Sequence, residues 1–217
     1  MPCLRLADDQ LVWDSLGIFE WLHERVPGAV WPADSVARAF ARCITAEMHA
    51  GFPDVRAHMP MNLKMRLVGA SLPAAAAAAG SDSAHPQTPV DALPERVQLQ
   101  FTRIMTVWTT ARERFGAPSG RGPFLFGAFG AADAMYAPVV ARFVSYNVDL
   151  SAWALALAYA AAILNHVHYR AWVAAALAET NPINHYDEAA LRLGGGAVRD
   201  WPCPAEAMAQ AAAASEQ

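Results

Sequence analysis

At Asp14 the hydrophobic period of this chain switches from two, the repeat of a strand, to about 3.6, the repeat of a helix. Before the switch there is room for two short strands only. Cys3 to Leu6 and Gln10 to Trp13 fit them, with Ala7-Asp8-Asp9 as the turn between. After the switch, Leu16, Phe19, Leu22 and Val26 follow at helical spacing until Pro27-Gly28 stops the run. Either Asp14 or Ser15 can supply the N-cap oxygen. A lone hairpin with one helix buries too little to stand by itself, so this opening needs further strands from elsewhere.

The rest of the chain reads as helices. Trp31-Pro32 lies in a short connector. Asp34-Ser35 starts a longer helix with apolar positions at Val36, Phe40, Cys43, Ile44, Met48, Phe52, Val55 and Met59. Pro53 inside that pattern predicts a kink. From Gly69 to Leu93 the composition changes to an alanine run followed by Gly, Ser, Asp, His and Pro, which reads as an exposed, mobile insertion. Pro94 stands where a helix starts well, and Val97, Phe101, Ile104, Met105, Trp108 and Phe115 form its apolar stripe. Pro118 to Pro123 reads as a loop. Three more helices are expected over Asp133 to Tyr146, Ser151 to Leu164 and about His168 to Ala178. The fold class is therefore α+β, mostly α. After Glu188, the glycine run at 194–196 and the Ala-rich end suggest a weakly ordered tail over 188–217.

Composition excludes several roles. The longest apolar run, Ala152 to Leu164, is too short to cross a bilayer, so no membrane partner is expected. Met1-Pro2-Cys3-Leu4-Arg5 lacks the basic and apolar regions of a signal peptide. Net charge is −4, and the basic residues are scattered, which argues against a nucleic-acid surface. The three cysteines, Cys3, Cys43 and Cys203, are far apart and odd in number, which fits a reduced, cytoplasmic protein. His166 and His168 are two apart and do not share a helix face, so no metal site is expected.

Five segments in order resemble the glutathione transferase family. Met1-Pro2-Cys3-Leu4 sits where that family has Val-Pro-x-Leu. Trp13-Asp14-Ser15-Leu16-Gly17-Ile18 is similar to its acid-Ser-x-x-Ile segment, and Trp31-Pro32 to its interdomain linker. Phe124-Leu125-Phe126-Gly127, running on to Ala132-Asp133-Ala134-Met135-Tyr136-Ala137-Pro138, resembles its folding-nucleus motif. Ala46-Glu47-Met48-His49-Ala50-Gly51-Phe52, with Met59-Pro60-Met61-Asn62, resembles a bacterial subgroup near the zeta-like, maleylacetoacetate isomerase-type enzymes. The resemblance covers Met1 to about Tyr186. It implies a partial thioredoxin-like, glutathione-binding domain over 1–30 and an all-helical C-terminal domain over 31–187.

The resemblance also implies roles. A cis bond before Pro2 would expose the backbone of Met1 to the cysteinyl part of glutathione, as an added strand would. Asp14 and Ser15 would hold the γ-glutamyl end, because a helix N-terminus suits its carboxylate and an aspartate suits its ammonium. Asp133 would belong to a capping box whose usual Ser/Thr is here Gly130. His49, Phe52, Met59 and Asn62 could border an apolar pocket for a small electrophile, although Phe52 also fits the bundle core. A homodimer acting in detoxification is the family's habit.

Family chemistry uses the glutathione thiolate, stabilised by a Ser, Tyr or Cys near the first helix of a preceding strand-helix-strand unit. No residue of 1–217 matches that motif, so the catalytic residue is unknown. Two readings remain. One is a glutathione-dependent transferase or isomerase that is N-terminally incomplete, through a GTG valine codon read as a start. The other is a non-catalytic helical binding or dimerisation module.

Overall fold

The computed structural model describes residues 2–67, 90–180 and 195–197. The chain divides into two compact units: Met1–Gly51 with Thr110–Tyr136, and Phe52–Thr109 with Ala137–Gln217. The α+β, mostly α class holds.

The first unit opens with β1 (Cys3–Arg5) and β2 (Leu11–Trp13), antiparallel in the register Cys3↔Trp13, Leu4↔Val12, Arg5↔Leu11. Asp9, at φ 61, turns the chain, and Leu6 N–H donates to Gln10 O across the turn at 2.8 Å. Next comes α1 (Ser15–Arg25), ended by Gly28 at φ 83. No residue of α1 is buried, although Phe19 meets the Trp31 ring edge-on at 5.8 Å. Leu11 and Trp13 are 53% and 64% exposed.

α2 (Ser35–Ala50) starts on Asp34, whose carboxylate accepts the Ala37 N–H at 2.8 Å. Its buried stripe is Ala37, Ala41, Ile44, Thr45 and Met48. The sequence reading placed Val36 and Cys43 on that stripe, but both are exposed. Ile44 and Met48 of the expected stripe are buried, and Ala37, Ala41 and Thr45 complete the buried face, with Ala41 packed in a cluster with Trp31 and Ala131. Glu20 and Arg42 tie α1 to α2 by two hydrogen bonds of 2.9 and 2.7 Å.

A kinked helix running through Pro53 does not occur. α2 ends at Ala50, Phe52 adopts the left-handed conformation (φ 58, ψ 46), and Pro53 begins a separate helix, α3 (Pro53–His58). Proline lacks the N–H a helix interior needs but suits a first turn, where that N–H is unpaired anyway. Gln100 completes this start in the second unit. Its Oε1 accepts from the Asp54 and Val55 amides, and its Nε2 donates to Asp54 Oδ2 at 2.6 Å.

The second unit continues with β3 (Met65–Leu67), a 3₁₀ turn (Val90–Ala92) and α4 (Glu95–Ala111). Residues 69–89 of the expected insertion lie outside the described residues, while Leu93 at its end is buried rather than exposed. Val97, Phe101, Ile104, Met105 and Trp108 are all buried, as their spacing requires. A wide π turn (Arg112–Gly116) and the short α5 (Ala117–Ser119) follow α4 in the chain, so the expected loop begins with a helical turn. α6 (Ala131–Ser145), α7 (Ala154–Asn165) and α8 (Val167–Ala178) match the three expected helices. Phe101 and Trp108 both meet Phe143, and Trp108 also meets Tyr159, forming the aromatic centre of the second unit.

Neither strand of the second unit was expected, since the sequence reads there as all-helical with a weak tail. β4 (Gly195–Ala197) pairs antiparallel with β3, Leu67 opposite Gly195 and Met65 opposite Ala197. This part of the expected weak tail is therefore in a ladder, and the rest lies outside the described residues. Ladder bonds come from the backbone, so a glycine pair supplies them without side chains. Among the described residues no helix is long and apolar enough to cross a membrane.

Candidate functional site at the start of α1

The first residues of α1 form a concentrated polar feature in the hairpin unit. Asp14, not Ser15, is the N-cap: its Oδ1 accepts the Leu16 N–H at 2.8 Å. Its backbone sits at φ 68, ψ 135, a region that a residue with a side chain occupies only at a cost of about 1–3 kcal/mol. That conformation leaves Oδ2 for another partner, and His49 Nε2 lies 3.2 Å from it. Both side chains remain about a third exposed, at 35% and 36%. The spacing of residues in the sequence gives no sign of this pair, since His49 comes from the last turn of α2.

The first turn of α1 carries no acidic residue, so the partial positive charge of the helix end is opposed there only by its cap. A Cβ at Gly17 would meet nothing within 4 Å, so the approach to this turn is open. The arrangement offers free N–H groups and the Ser15 hydroxyl to a carboxylate, with the Asp14 carboxylate beside them for a cation. A zwitterionic amino-acid end group has that pair of charges.

The other expected site residues are distributed differently. Pro2 is exposed beside β1, while Met1, and with it the Met1–Pro2 bond, lies outside the described residues. Phe52, Met59 and Asn62 are buried in the second unit, Met59 completely. The segment from Met59 to Asn62 is fastened to the end of α6. Arg142 Nε donates to Met59 O at 2.9 Å, Tyr146 OH to Pro60 O at 3.1 Å and Ser145 Oγ–H to Asn62 O at 2.9 Å. Burial pushes the Tyr146 hydroxyl up to about 12, so it stays a donor at any ordinary pH. Asn62 Oδ1 accepts the Lys64 N–H, closing a local turn. The structure thus joins His49 to Asp14 and gives the other three packing and turn roles in the second unit.

Asp133 is structural, as expected. Fully buried, it accepts from Leu125 N–H at 3.0 Å and Gly130 N–H at 2.9 Å. The second bond is the returning half of a capping box. Gly130 has its own reason: a Cβ there would stand 2.9 Å from Val30 O, which also accepts the Ala131 N–H. The absence of a Cβ makes room for this close approach. Arg112, which the sequence gave no reason to single out, donates to Gly122 O and Phe124 O and so holds the loop that leads to Asp133. Among the described residues no group of His, Cys, Asp and Glu could hold a metal ion.

No protein-family model matches this chain, and no curated protein does. Among solved structures, the chain is similar to a glutathione transferase homolog from Sulfitobacter, crystallised with bound glutathione, at 17% identity and a TM-score of 0.45, covering 82% of this chain and 83% of that one.

Proposed function

We propose that the start of α1 holds the γ-glutamyl end of glutathione, and that the chain serves a glutathione-dependent transferase or isomerase acting on small electrophiles. The observation that carries the reading is Asp14: a strained cap residue that orders the helix end with one oxygen and keeps the other toward His49 and solvent. Backbone strain of this kind persists where surrounding structure over-determines it, and it gathers at functional sites. The γ-glutamyl carboxylate takes the first-turn N–H groups and the Ser15 hydroxyl; the ammonium takes Asp14. The peptide edge at Pro2 takes the cysteinyl backbone.

The ordered resemblance of five sequence segments supports the family, and the exposed Leu11, Trp13 and α1 support a partner surface for this hairpin. In this reading the group that stabilises the thiolate comes from a strand-helix-strand segment packed on that surface. Free thiols titrate near ~8.5, so without such a group only a few per cent of glutathione is thiolate at neutral pH. The experiment is a paired assay of residues 1–217 alone and of the same chain extended by its upstream in-frame sequence, using a generic electrophile and a maleyl-type isomerisation substrate. Turnover by the extended chain alone supports the reading. Equal turnover by both places the thiolate-stabilising group within residues 1–217. Turnover by neither, with no glutathione binding, favours the non-catalytic module, for which the exposed Leu11 and Trp13 provide a docking face.

A further inference from the structure

We propose, on the γ-glutamyl reading of α1, that His49 is a positioning residue for Asp14 and makes recognition of the γ-glutamyl ammonium depend on pH. Its neutral imidazole orients the Asp14 carboxylate toward that ammonium. Its imidazolium takes the carboxylate's charge for itself. Glutathione recognition then weakens as His49 gains its proton, and by reciprocity the binding of glutathione expels a proton from His49.

Both residues belong to the first unit, so the contact is internal to one compact body. The carboxylate cannot turn freely. Oδ1 is pinned by the Leu16 N–H at 2.8 Å, which leaves Oδ2 as the other oxygen, 3.2 Å from His49 Nε2. An ammonium that reads Asp14 must approach the oxygen on which the imidazole already sits. Oδ2 has lone pairs for two donors, but two donors on one oxygen stand only about 5 Å apart. An imidazolium and an ammonium at that distance repel, and a single carboxylate offers one charge to two cations. A neutral imidazole brings no such conflict: its Nε2–H donates to Oδ2, and the whole negative charge is left for the ammonium. Each side chain is about a third exposed, so an incoming molecule can reach the pair.

The other charged groups of the neighbouring elements are engaged or distant. Among the described residues, His49 has no other acidic group within ion-pair distance and Asp14 no other basic one. On α1 the next ionisable side chain is Glu20, six residues on and bound by Arg42. His23, Glu24 and Arg25 lie farther along, at least about 13 Å from Asp14 on the helix axis. On α2, Glu47 is two positions from His49 and off its face, and Arg42 and Cys43 lie more than a turn back. On the hairpin, Arg5 and Asp9 pair with each other, and Asp8 accepts the Gln10 N–H. Histidine is the side chain whose charge ordinarily changes between pH 5 and 8, so this pair can respond within that interval.

Calorimetric titration of the full chain with S-methylglutathione tests the switch, because the methyl group removes the thiol and its own titration. The comparison molecule is the same tripeptide without the γ-glutamyl ammonium. The affinity advantage of the ammonium is expected to fall about threefold from pH 8 to pH 5, since part-exposed ion pairs shift equilibria by factors of roughly two to five. At pH 6.5, titrations in two buffers of different ionisation enthalpy should show release of about a quarter of a proton per S-methylglutathione bound, and none for the analogue. In the natural chain the His49 Cε1 proton resonance should move toward its neutral position on that binding. His49→Gln, which keeps an N–H donor for Oδ2, should abolish both the proton release and the pH dependence of the advantage. An advantage equal at pH 5 and pH 8, one that grows in acid, an unmoved His49 resonance, or proton release that survives in His49→Gln would overturn the switch and leave the γ-glutamyl site standing. No saturable binding, or binding without an ammonium advantage at any pH, would sink the site and the switch together.

Discussion

Asp14 Oδ2 and His49 Nε2 stand 3.2 Å apart, while the other oxygen of the same carboxylate caps α1. One side chain therefore does two things that can be separated by substitution. Asp14→Asn keeps an oxygen for the Leu16 amide but removes the charge. It should leave stability within about 0.5 kcal/mol while abolishing recognition of an ammonium group. Asp14→Ala loses the cap and retains the unfavourable φ, and should cost about 1–2 kcal/mol in urea denaturation. Asp14→Gly relieves the backbone and should lie between the two. If Ala and Gly were equally destabilising, the strain at φ 68 would have no energetic weight.

Gly130→Ser gives opposite expectations from sequence and structure. The motif alone says a hydroxyl cap would be restored, with a gain in stability. The 2.9 Å approach of a Cβ to Val30 O says that the connector must shift. The variant is expected to lose about 1–2 kcal/mol, the typical cost of overpacking. An increase in the denaturation midpoint would show that the hydroxyl cap outweighs the clash.

Asp133→Ala should be among the most destabilising single changes in the first unit. It leaves the buried Leu125 amide without its acceptor, at about 1–3 kcal/mol, and the half-buried Gly130 amide at a smaller cost. Asp133→Asn keeps one acceptor oxygen and should cost less. Thermal unfolding of the two variants, compared at one pH, checks the order.

Much of the fold was legible because period and punctuation are local signals. The switch at Asp14, the stop at Gly28, and the stripe from Val97 to Trp108 each need only neighbouring residues to be read. Pro53 carries an ambiguous signal: the same residue that would kink a helix can start one, and only the left-handed turn at Phe52 decides which. Val36 and Cys43 look as apolar as Ala37 and Ala41, and only the packing of α2, with Ala41 against Trp31 and Ala131, decides which of them is buried. The β3–β4 ladder carries no side-chain pattern, since Gly195 and Gly196 contribute only backbone. At the site, Asp14 and Ser15 could be found from the capping signal, whereas the His49 contact depends on how α2 lies against the start of α1.

The second unit should respond to acid through His166. Burial, reinforced by the neighbouring His168, holds its imidazole below the ordinary value of 6.5. Between the two values the unfolded chain binds more protons than the folded one. The contribution is therefore complete above pH 6.5 and is lost as pH falls through the folded value. His166→Gln should flatten that part of the stability profile in urea titrations across this interval. An unchanged slope in the variant would assign the acid sensitivity to another group.

The start of α1 can be tested without any assay of turnover. Titration of ¹⁵N-labelled chain with reduced glutathione into the millimolar range, followed by amide shifts, should move Ser15, Leu16 and Gly17 saturably. The same titration with a glutathione lacking the γ-glutamyl ammonium should be weaker by about tenfold on the natural chain and no weaker on Asp14→Asn. Saturable shifts confined to other residues, or the same preference for the ammonium in Asp14→Asn, would contradict the assignment of Asp14 to the γ-glutamyl end.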